Sequence, residues 1–245
     1  MRIPNIFTDK ILTQDETVTL QGQTAQHLSK VLRMAVDDEV RLFNNTGLFY
    51  TAKITHCDKK AVSLNVISSI ISSTESKLHT HLGQVMSRGD RMDYVIQKST
   101  ELGVNEITPL FSDRCELKLN AERQAKRIQH WQQIAINAAE QCGRAYVPII
   151  HPVLTLDKWI NNTKDREGVS LVLHHRDTQN LSSINPAPKH VNLLIGPEGG
   201  LSQTEIEQAI HANFIASTFG PRVMRTETTP IASLSILQWL WGDFQ

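Results

Sequence analysis

The sequence predicts an α/β protein of two unequal domains, a small β-barrel followed by a larger layered α/β domain. Three observations predict it: short strand-like runs up to about Ile71, a small polar stretch after them, and strand-like runs alternating with helical ones beyond. A chain of 245 residues is also long for one small core. The expected domains are residues 1–72 and 73–245.

In the first domain the strands are Val18 to Leu20, Glu39 to Phe43, Phe49 to Ile54 and Ala61 to Val66, with Asn44-Asn45-Thr46-Gly47 as a turn. A short helix is expected from about Gln23 to Leu32, because Ala25, Leu28, Val31 and Leu32 follow helical spacing. Ile70 to Ser76 has the small, polar character of a connection between domains. After it, strand-like runs at Leu82 to Met86, Ile107 to Phe111, Val169 to Leu173, Val191 to Ile195 and Ile215 to Phe219 imply a largely parallel sheet. Met92, Val95, Ile96 and Leu102 form one apolar helical stripe that stops at Gly103. Ile128, Trp131, Ile134, Ala135, Ala138 and Cys142 form another, ending at Gly143. Ser202 and Glu205 have capping-box spacing, and Thr229 before Pro230 starts a last helix through Leu234, Leu237, Leu240 and Trp241.

Composition narrows the function classes. The hydrophobic fraction of 40% and charged fraction of 20% are those of an ordinary globular protein. No apolar run has the length of a bilayer span, and the start lacks the basic-then-apolar layout of a signal peptide, so a cytoplasmic protein without membrane association is expected. Three widely spaced cysteines, Cys57, Cys115 and Cys142, argue against a disulfide framework or a zinc site. Lys plus Arg equals Asp plus Glu at 25 each, so the molecule has no net field to steer it to a polyanion. Local clustering is the remaining route: Arg88, Arg91, Lys98, Arg114, Lys118, Arg123, Lys126, Arg127 and Arg144 share one stretch. Acidic residues are interleaved there, and a solvated helix surface accounts for the charges equally well.

Two segments can carry chemistry. Leu193 to Ile195 leads into Gly196-Pro197-Glu198-Gly199-Gly200-Leu201-Ser202, a strand running through a glycine-bearing turn into a capped helix. Such loops let backbone N–H and C=O groups approach a ligand at the carboxyl end of an α/β strand. The spacing is neither that of a dinucleotide fold nor that of a P-loop, and a tight turn without a ligand is the alternative. The second segment repeats the construction: a strand from Ile215, then Gly220-Pro221-Arg222-Val223-Met224-Arg225-Thr226-Glu227-Thr228-Thr229-Pro230, then a helix. Side by side, the two bends would wall a pocket; otherwise Arg222, Arg225 and Glu227 are a surface ion-pair cluster. His174-His175 follow the strand ending at Leu173. Adjacent histidines diverge and no third ligand stands at recognisable spacing, so no metal is expected.

Gly196-Pro197-Glu198-Gly199-Gly200 followed by Gly220-Pro221-Arg222-Val223-Met224-Arg225-Thr226-Glu227-Thr228 resembles the RsmE family of 16S rRNA uridine N3-methyltransferases. The likeness extends to Met1-Arg2-Ile3-Pro4, His27 to Met34, Lys98 to Val104 and Glu140-Gln141-Cys142-Gly143-Arg144, and so covers nearly the whole chain. It implies a SPOUT-type α/β domain with a C-terminal trefoil knot, preceded by a PUA-like β-barrel. Knots break the usual rule for chain connections, and no periodicity reveals one. The resemblance further implies a homodimer, S-adenosyl-L-methionine as cofactor, and N3 of uridine 1498 in the 16S rRNA of the 30S subunit as target.

The same resemblance implies roles for individual residues. Cofactor would be held around Leu173, His174, Gly196, Pro197, Glu198, Gly199, Gly200, Phe219, Gly220, Met224 and Arg225, although Phe219 and Met224 equally suit a core. Uracil N3 must lose a proton on attack, so a cation near the ring oxygens and a proton acceptor are wanted. Arg225, then Arg222, are candidates for the first, and Glu101 and Glu227 for the second. Arg2, Lys30 and Arg33 on the barrel, with Arg88, Arg114 and Arg144 beyond it, are candidates for phosphate contacts, each with an exposed surface charge as its alternative.

Overall fold

The computed structural model describes residues 3–117, 119–174, 181 and 184–245. It forms two compact units, one of Met1–Glu75 with Ala139–Val147, the other of Ser76–Ala138 with Pro148–Gln245.

The first unit runs β1 (Asn5–Phe7), β2 (Thr17–Gln21), α1 (Gly22–Gln26), a π-helical turn (His27–Val31), β3 (Glu39–Phe43), β4 (Leu48–Cys57) and β5 (Ala61–Ile71). Its five-stranded sheet has the order β1-β3-β4-β5-β2, with β1 parallel to β3 and the other pairs antiparallel. Alternate residues point inward, so that Val40, Leu42, Ala52, Ile54, Val62 and Leu64 share one core with Leu28. Register shifts between Thr51 and Ala52 and between Ile54 and His56 mark bulges, which bend the β4–β5 ladder. The helix expected over Gln23 to Leu32 is broken into an α and a π turn; this keeps Ala25 and Leu28 fully buried and leaves Val31 exposed. Ile70 and Ile71, expected in the connection, end β5 instead.

Residues 139–147 belong with the barrel although they follow the α/β domain's first half, which a cut at residue 72 does not allow for. Glu140 explains the attachment: its carboxylate accepts the Phe7 N–H at 2.9 Å and its carbonyl accepts the Asn5 amide at 3.0 Å, satisfying groups on the edge strand β1. Val147 donates its N–H to Asn45 at 2.8 Å.

The second unit runs β6 (His79–Val85), α2 (Arg91–Glu101), β7 (Glu106–Phe111), α3 (Ala121–Cys142, whose last turn lies in the first unit), β8 (Ile149–Ile150), β9 (Leu154–Thr155) and α4 (Leu156–Thr163). It continues with β10 (Val169–Leu173), β11 (His190–Ile195), α5 (Gln203–His211), β12 (Ile215–Ser217) and α6 (Thr228–Trp241). The sheet order is β12-β10-β11-β6-β7-β8, with β9 also on β7, and every pairing is parallel. Parallel strands covered by helices are apolar on both faces, and β6 and β11 are buried over nearly their whole length. Trp159 of α4 packs with Val85, Leu110, Val172, Leu194 and Phe214. Ser202 and Glu205 form the expected capping box at the start of α5. Among the described residues no helix is long and apolar enough to cross a membrane.

Candidate active site

A cavity of about 810 Å³ opens at the carboxyl ends of β10, β11 and β12. Ligands gather there in open α/β sheets because successive strands deliver their following loops to one edge. Leu173 and His174 leave β10, residues 195–198, 200 and 201 leave β11, and residues 217–227 with Thr229 leave β12 to complete the walls. The strand β12 stops at Ser217, two residues sooner than expected, so Thr218 and Phe219 already belong to the wall.

Both bends need glycine. Gly200 has φ +68° and Gly220 φ +86°, in the left-handed region that costs other residues about 1–2 kcal/mol. They are tied to each other by one buried relay: Gln84 Nε2 of β6 donates to Thr226 Oγ1 at 3.2 Å, and Thr226 Oγ1 donates to the Gly196 carbonyl at 3.1 Å. Gln84 is fully buried, and among the described residues its Oε1 has no hydrogen-bond partner.

Arginines hold the first bend from outside. Arg91, at the start of α2, places Nη1 2.5 Å from Glu198 Oε1 and Nε 3.9 Å from Glu227 Oε2, joining one residue of each bend. Arg114 donates Nη1–H to the Gly199 carbonyl at 2.8 Å. The Glu205 carboxylate accepts the Asp113 N–H at 2.8 Å and the Ser202 N–H at 2.7 Å. An exposed pair such as Arg91–Glu198 is worth about 0–1 kcal/mol, so its weight lies in placing the loop rather than in stability.

Of the residues singled out from the sequence, Leu173, His174, Gly196, Pro197, Glu198, Gly200, Phe219, Gly220, Arg222, Met224, Arg225 and Glu227 line this cavity. Gly199 faces an adjoining cleft of about 640 Å³ with Arg88 and Arg114. Phe219 and Met224 are half-buried wall residues rather than core. Glu101 is not in the lining: it sits at the end of α2 with its carboxylate 2.8 Å from Lys98 Nζ, a pairing that i,i+3 spacing favours. Arg144 is corrected as a phosphate contact, because its side chain is 4% exposed and committed to Glu75 at 2.8 Å. Lys30, Arg33, Arg88 and Arg114 are exposed; Arg88 pairs with Glu116 at 2.9 Å. Arg2 and His175 lie outside the described residues. Sequence reasoning missed Arg91, Gln84 and Thr226 as site residues. Thr226 sits inside the second motif, but its partner Gln84 is on a strand far away in sequence, and Arg91 stands out only as one charge of a basic stretch.

Residues 74–238 match the RNA methyltransferase domain family and residues 20–67 the RNA methyltransferase PUA domain family. Ribosomal RNA small subunit methyltransferase E from Buchnera aphidicola of Schizaphis graminum is 37% identical over 99% of this chain and 98% of its own length. A methyltransferase from Legionella pneumophila, solved with bound S-adenosylmethionine, superposes with a TM-score of 0.95 at 37% identity, each chain fully covered. Ribosomal RNA small subunit methyltransferase E from Neisseria gonorrhoeae, also bound to S-adenosylmethionine, gives 0.93 at 35% identity, again with both chains fully covered. Likeness of this extent, together with two glycine bends closing one cleft at the sheet edge, places the chain in the ribosomal RNA small subunit methyltransferase E family of RNA methyltransferases.

Proposed function

We propose that this chain transfers a methyl group from S-adenosyl-L-methionine to N3 of uridine 1498 in 16S rRNA of the 30S subunit, acting in the cytoplasm as a homodimer. The observation that carries the reading is the one cavity walled by residues 195–198, 200, 201, 217–227 and 229, of a size suited to a cofactor. The residues present fit that cofactor: the mouths of three parallel strands supply backbone polar groups, and Arg222, Arg225, Glu198 and Glu227 supply both signs of charge for a zwitterionic amino acid portion.

Bound there, S-adenosylmethionine supplies an electrophilic methyl group on a sulfonium, and the protein's task is positioning and control of charge. Arg225, exposed in the cavity wall, is placed to stabilise the negative charge that develops on the uracil oxygens, with Arg222 beside it in the same segment. Glu227 is the better proton acceptor of the two carboxylates, since it lines the cavity and its Oε2, 3.9 Å from Arg91 Nε, accepts no hydrogen bond among the described residues, whereas Glu101 lies outside the lining and is hydrogen-bonded by Lys98. Lys30 and Arg33 on the barrel, with Arg88 and Arg114 at the adjoining cleft, are exposed cations suited to phosphates.

The C-terminal trefoil knot is part of the proposal. In its support, β12 lies beyond β10, yet the chain then returns past β10 for Thr226 to reach Gly196 after β11. The homodimer is supported by large apolar side chains left in water near the C-terminus, Val223 at 95% and Trp239 at 59% exposure.

Primer extension on 16S rRNA from cells lacking the protein tests the reading. N3 methylation removes the pairing edge, so the wild type gives a strong stop at uridine 1498 and the deletion gives none. An unchanged stop pattern, or one seen only at low nucleotide concentration as 2′-O-methylation produces, overturns the N3 assignment. Calorimetry with S-adenosylmethionine separates the enzyme from an RNA-binding assembly factor, which would show no binding heat.

A further inference from the structure

Away from the cavity at the carboxyl ends, at the amino end of the same sheet, three histidines gather around one carboxylate. His79 and His81 of β6 and Glu106 of β7 occupy the first residues of adjacent strands, and His151 follows β8. His151 Nε2 lies 2.7 Å from Glu106 Oε2, and His79 Nε2 lies 3.5 Å from Glu106 Oε1. One ligating atom from each of His81, Glu106 and His151 falls within 4.8 Å of the others.

The tautomer of His81 follows from its neighbours. Two obligate donors face the ring, Arg166 Nη1–H at 3.1 Å from Nδ1 and Trp159 Nε1–H at 3.2 Å from Nε2. A neutral imidazole has one lone pair in its plane, and the charged, shorter contact takes it. With Nδ1 as the acceptor, Nε2–H donates to the buried Thr108 hydroxyl at 2.8 Å, and the Trp159 Nε1–H 3.2 Å away gives up Nε2 as its acceptor. That is how a metal-ligating histidine is built: one nitrogen anchored through its N–H, the other aimed inward with a free pair. Burial holds the ring neutral by depressing its pKa to about 3.

Arg166 Nη1 sits between two members of the group, 3.1 Å from His81 Nδ1 and 3.4 Å from each Glu106 oxygen. It reaches in from the turn after α4, its side chain is 43% exposed, and it is not part of the sheet. A site that already stabilises one positive charge between an imidazole and a carboxylate, with a second imidazole on that carboxylate, has the donor set of Zn²⁺, Ni²⁺ or Co²⁺, not of Mg²⁺ or Ca²⁺. We propose that His81, Glu106 and His151 form a binding site for a divalent transition-metal ion, with the Arg166 guanidinium as the resident cation that the metal displaces. His79 is the nearest candidate for a fourth ligand. The proposal departs from the expectation of no metal, which the cysteine spacing and the His174-His175 pair suggested, because these donors lie on two strands and just past a third and meet only in the fold. The bound ion would clip β6, β7 and the end of β8 together without touching the cofactor cavity.

The test uses the full, untagged chain, dialysed against chelator and titrated with Co²⁺, whose visible d–d bands report nitrogen and oxygen ligation. Wild type is expected to give a saturable band at one ion per chain that Zn²⁺ abolishes. His151→Ala and Glu106→Gln lose it, and Arg166→Met binds at least about tenfold more tightly because the competing cation is gone. Heat of S-adenosylmethionine binding, or the circular dichroism spectrum, shows that each variant is folded, so failure here is distinct from failure of the proposed methylation. No band in folded wild type and folded Arg166→Met, a band that survives His151→Ala, or an Arg166→Met affinity equal to wild type each overturns the proposal.

Discussion

Arg225 and Glu140 are single side chains whose surroundings decide what they do. Arg225 lies in the cavity wall and is largely in water, so replacing it with alanine removes a charge without opening the core. The expected outcome for Arg225→Ala is a fall in kcat of about 10²- to 10³-fold, the usual effect of deleting one charge-stabilising donor, with S-adenosylmethionine affinity nearly unchanged. Single-turnover methylation with calorimetry measures both; a variant that loses cofactor affinity and keeps kcat would make Arg225 a binding residue only. Glu140 is the opposite case. Burial raises its carboxyl above the ordinary range, outweighing the Phe7 N–H bond that lowers it. A group raised in the folded state favours folding fully below its unfolded value of 4.5, and that contribution is lost as pH rises through the folded value. Glu140→Gln keeps an acceptor for Phe7 and has no charge to desolvate, so its stability relative to wild type should climb as pH rises above the unfolded value of 4.5 and level off once the folded-state carboxyl is ionised. Urea melts at several pH values check the sign, and a difference that does not change with pH would remove burial as the cause. Neither role was legible in the sequence: Glu140 appears there only within a motif, and what buries it is a three-residue strand, β1, too short to leave a pattern.

At the scale of elements, strands and helices hold the two bends through contacts that sequence spacing does not encode. Thr226 bridges them, and Thr226→Val takes one of two acceptors from the buried Gln84 Nε2, which keeps the Val85 carbonyl, and removes the hydroxyl donor from the half-buried Gly196 carbonyl. The expected cost is about 1–3 kcal/mol for each group left unsatisfied, read as weaker S-adenosylmethionine binding and a lower Tm, with Thr226→Ser restoring both. Equal behaviour of the serine and valine variants would assign the effect to the methyl group instead. Gly83 in β6 tests the layer behind the sheet. A Cβ there would meet the Trp159 ring at 2.7 Å, and that indole is itself boxed in by His81 and Phe214. Gly83→Ala should therefore cost about 1–3 kcal/mol in a thermal or urea melt, as overpacking does. A neutral result would mean that α4 slides on the sheet. Strands β7, β10 and β11 were readable as largely apolar runs bounded by polar turns, whereas β6 begins with His79, Thr80 and His81 and only its second half was expected. Helix α4 was not: only eight residues long, it has Asp157, Lys158, Asn161 and Asn162 exposed among its few apolar positions and leaves no long periodic pattern. The π turn at His27–Val31 escaped notice for a different reason, since apolar spacing does not separate an α from a π turn over so few residues.

For the whole molecule, the question is where one unit ends. The sequence places the boundary in the polar stretch near residue 72, and composition supports nothing finer. In the structure the barrel also owns residues 139–147, which arrive from the far end of a 22-residue helix. The tie is physical: Arg144, 4% exposed, faces Glu75, while Glu140 and Val147 bond to Phe7 and Asn45. A chain beginning at Ser76 therefore does not simply lack a domain; it strips the partners from the end of α3 and exposes Ala139 and Ala145, both fully buried in the intact protein. Every residue lining the cofactor cavity nevertheless lies in the second unit. The truncated chain should melt at lower temperature, yet bind S-adenosylmethionine within about tenfold of the intact affinity, a difference of about 1.4 kcal/mol. It should fail to methylate 30S particles, because Lys30 and Arg33 go with the barrel. Calorimetry and a tritium-transfer assay on the same preparation decide the matter: normal methylation would show that the barrel does not dock RNA, and absent cofactor binding in a folded truncation would show that the cavity depends on residues outside its own walls.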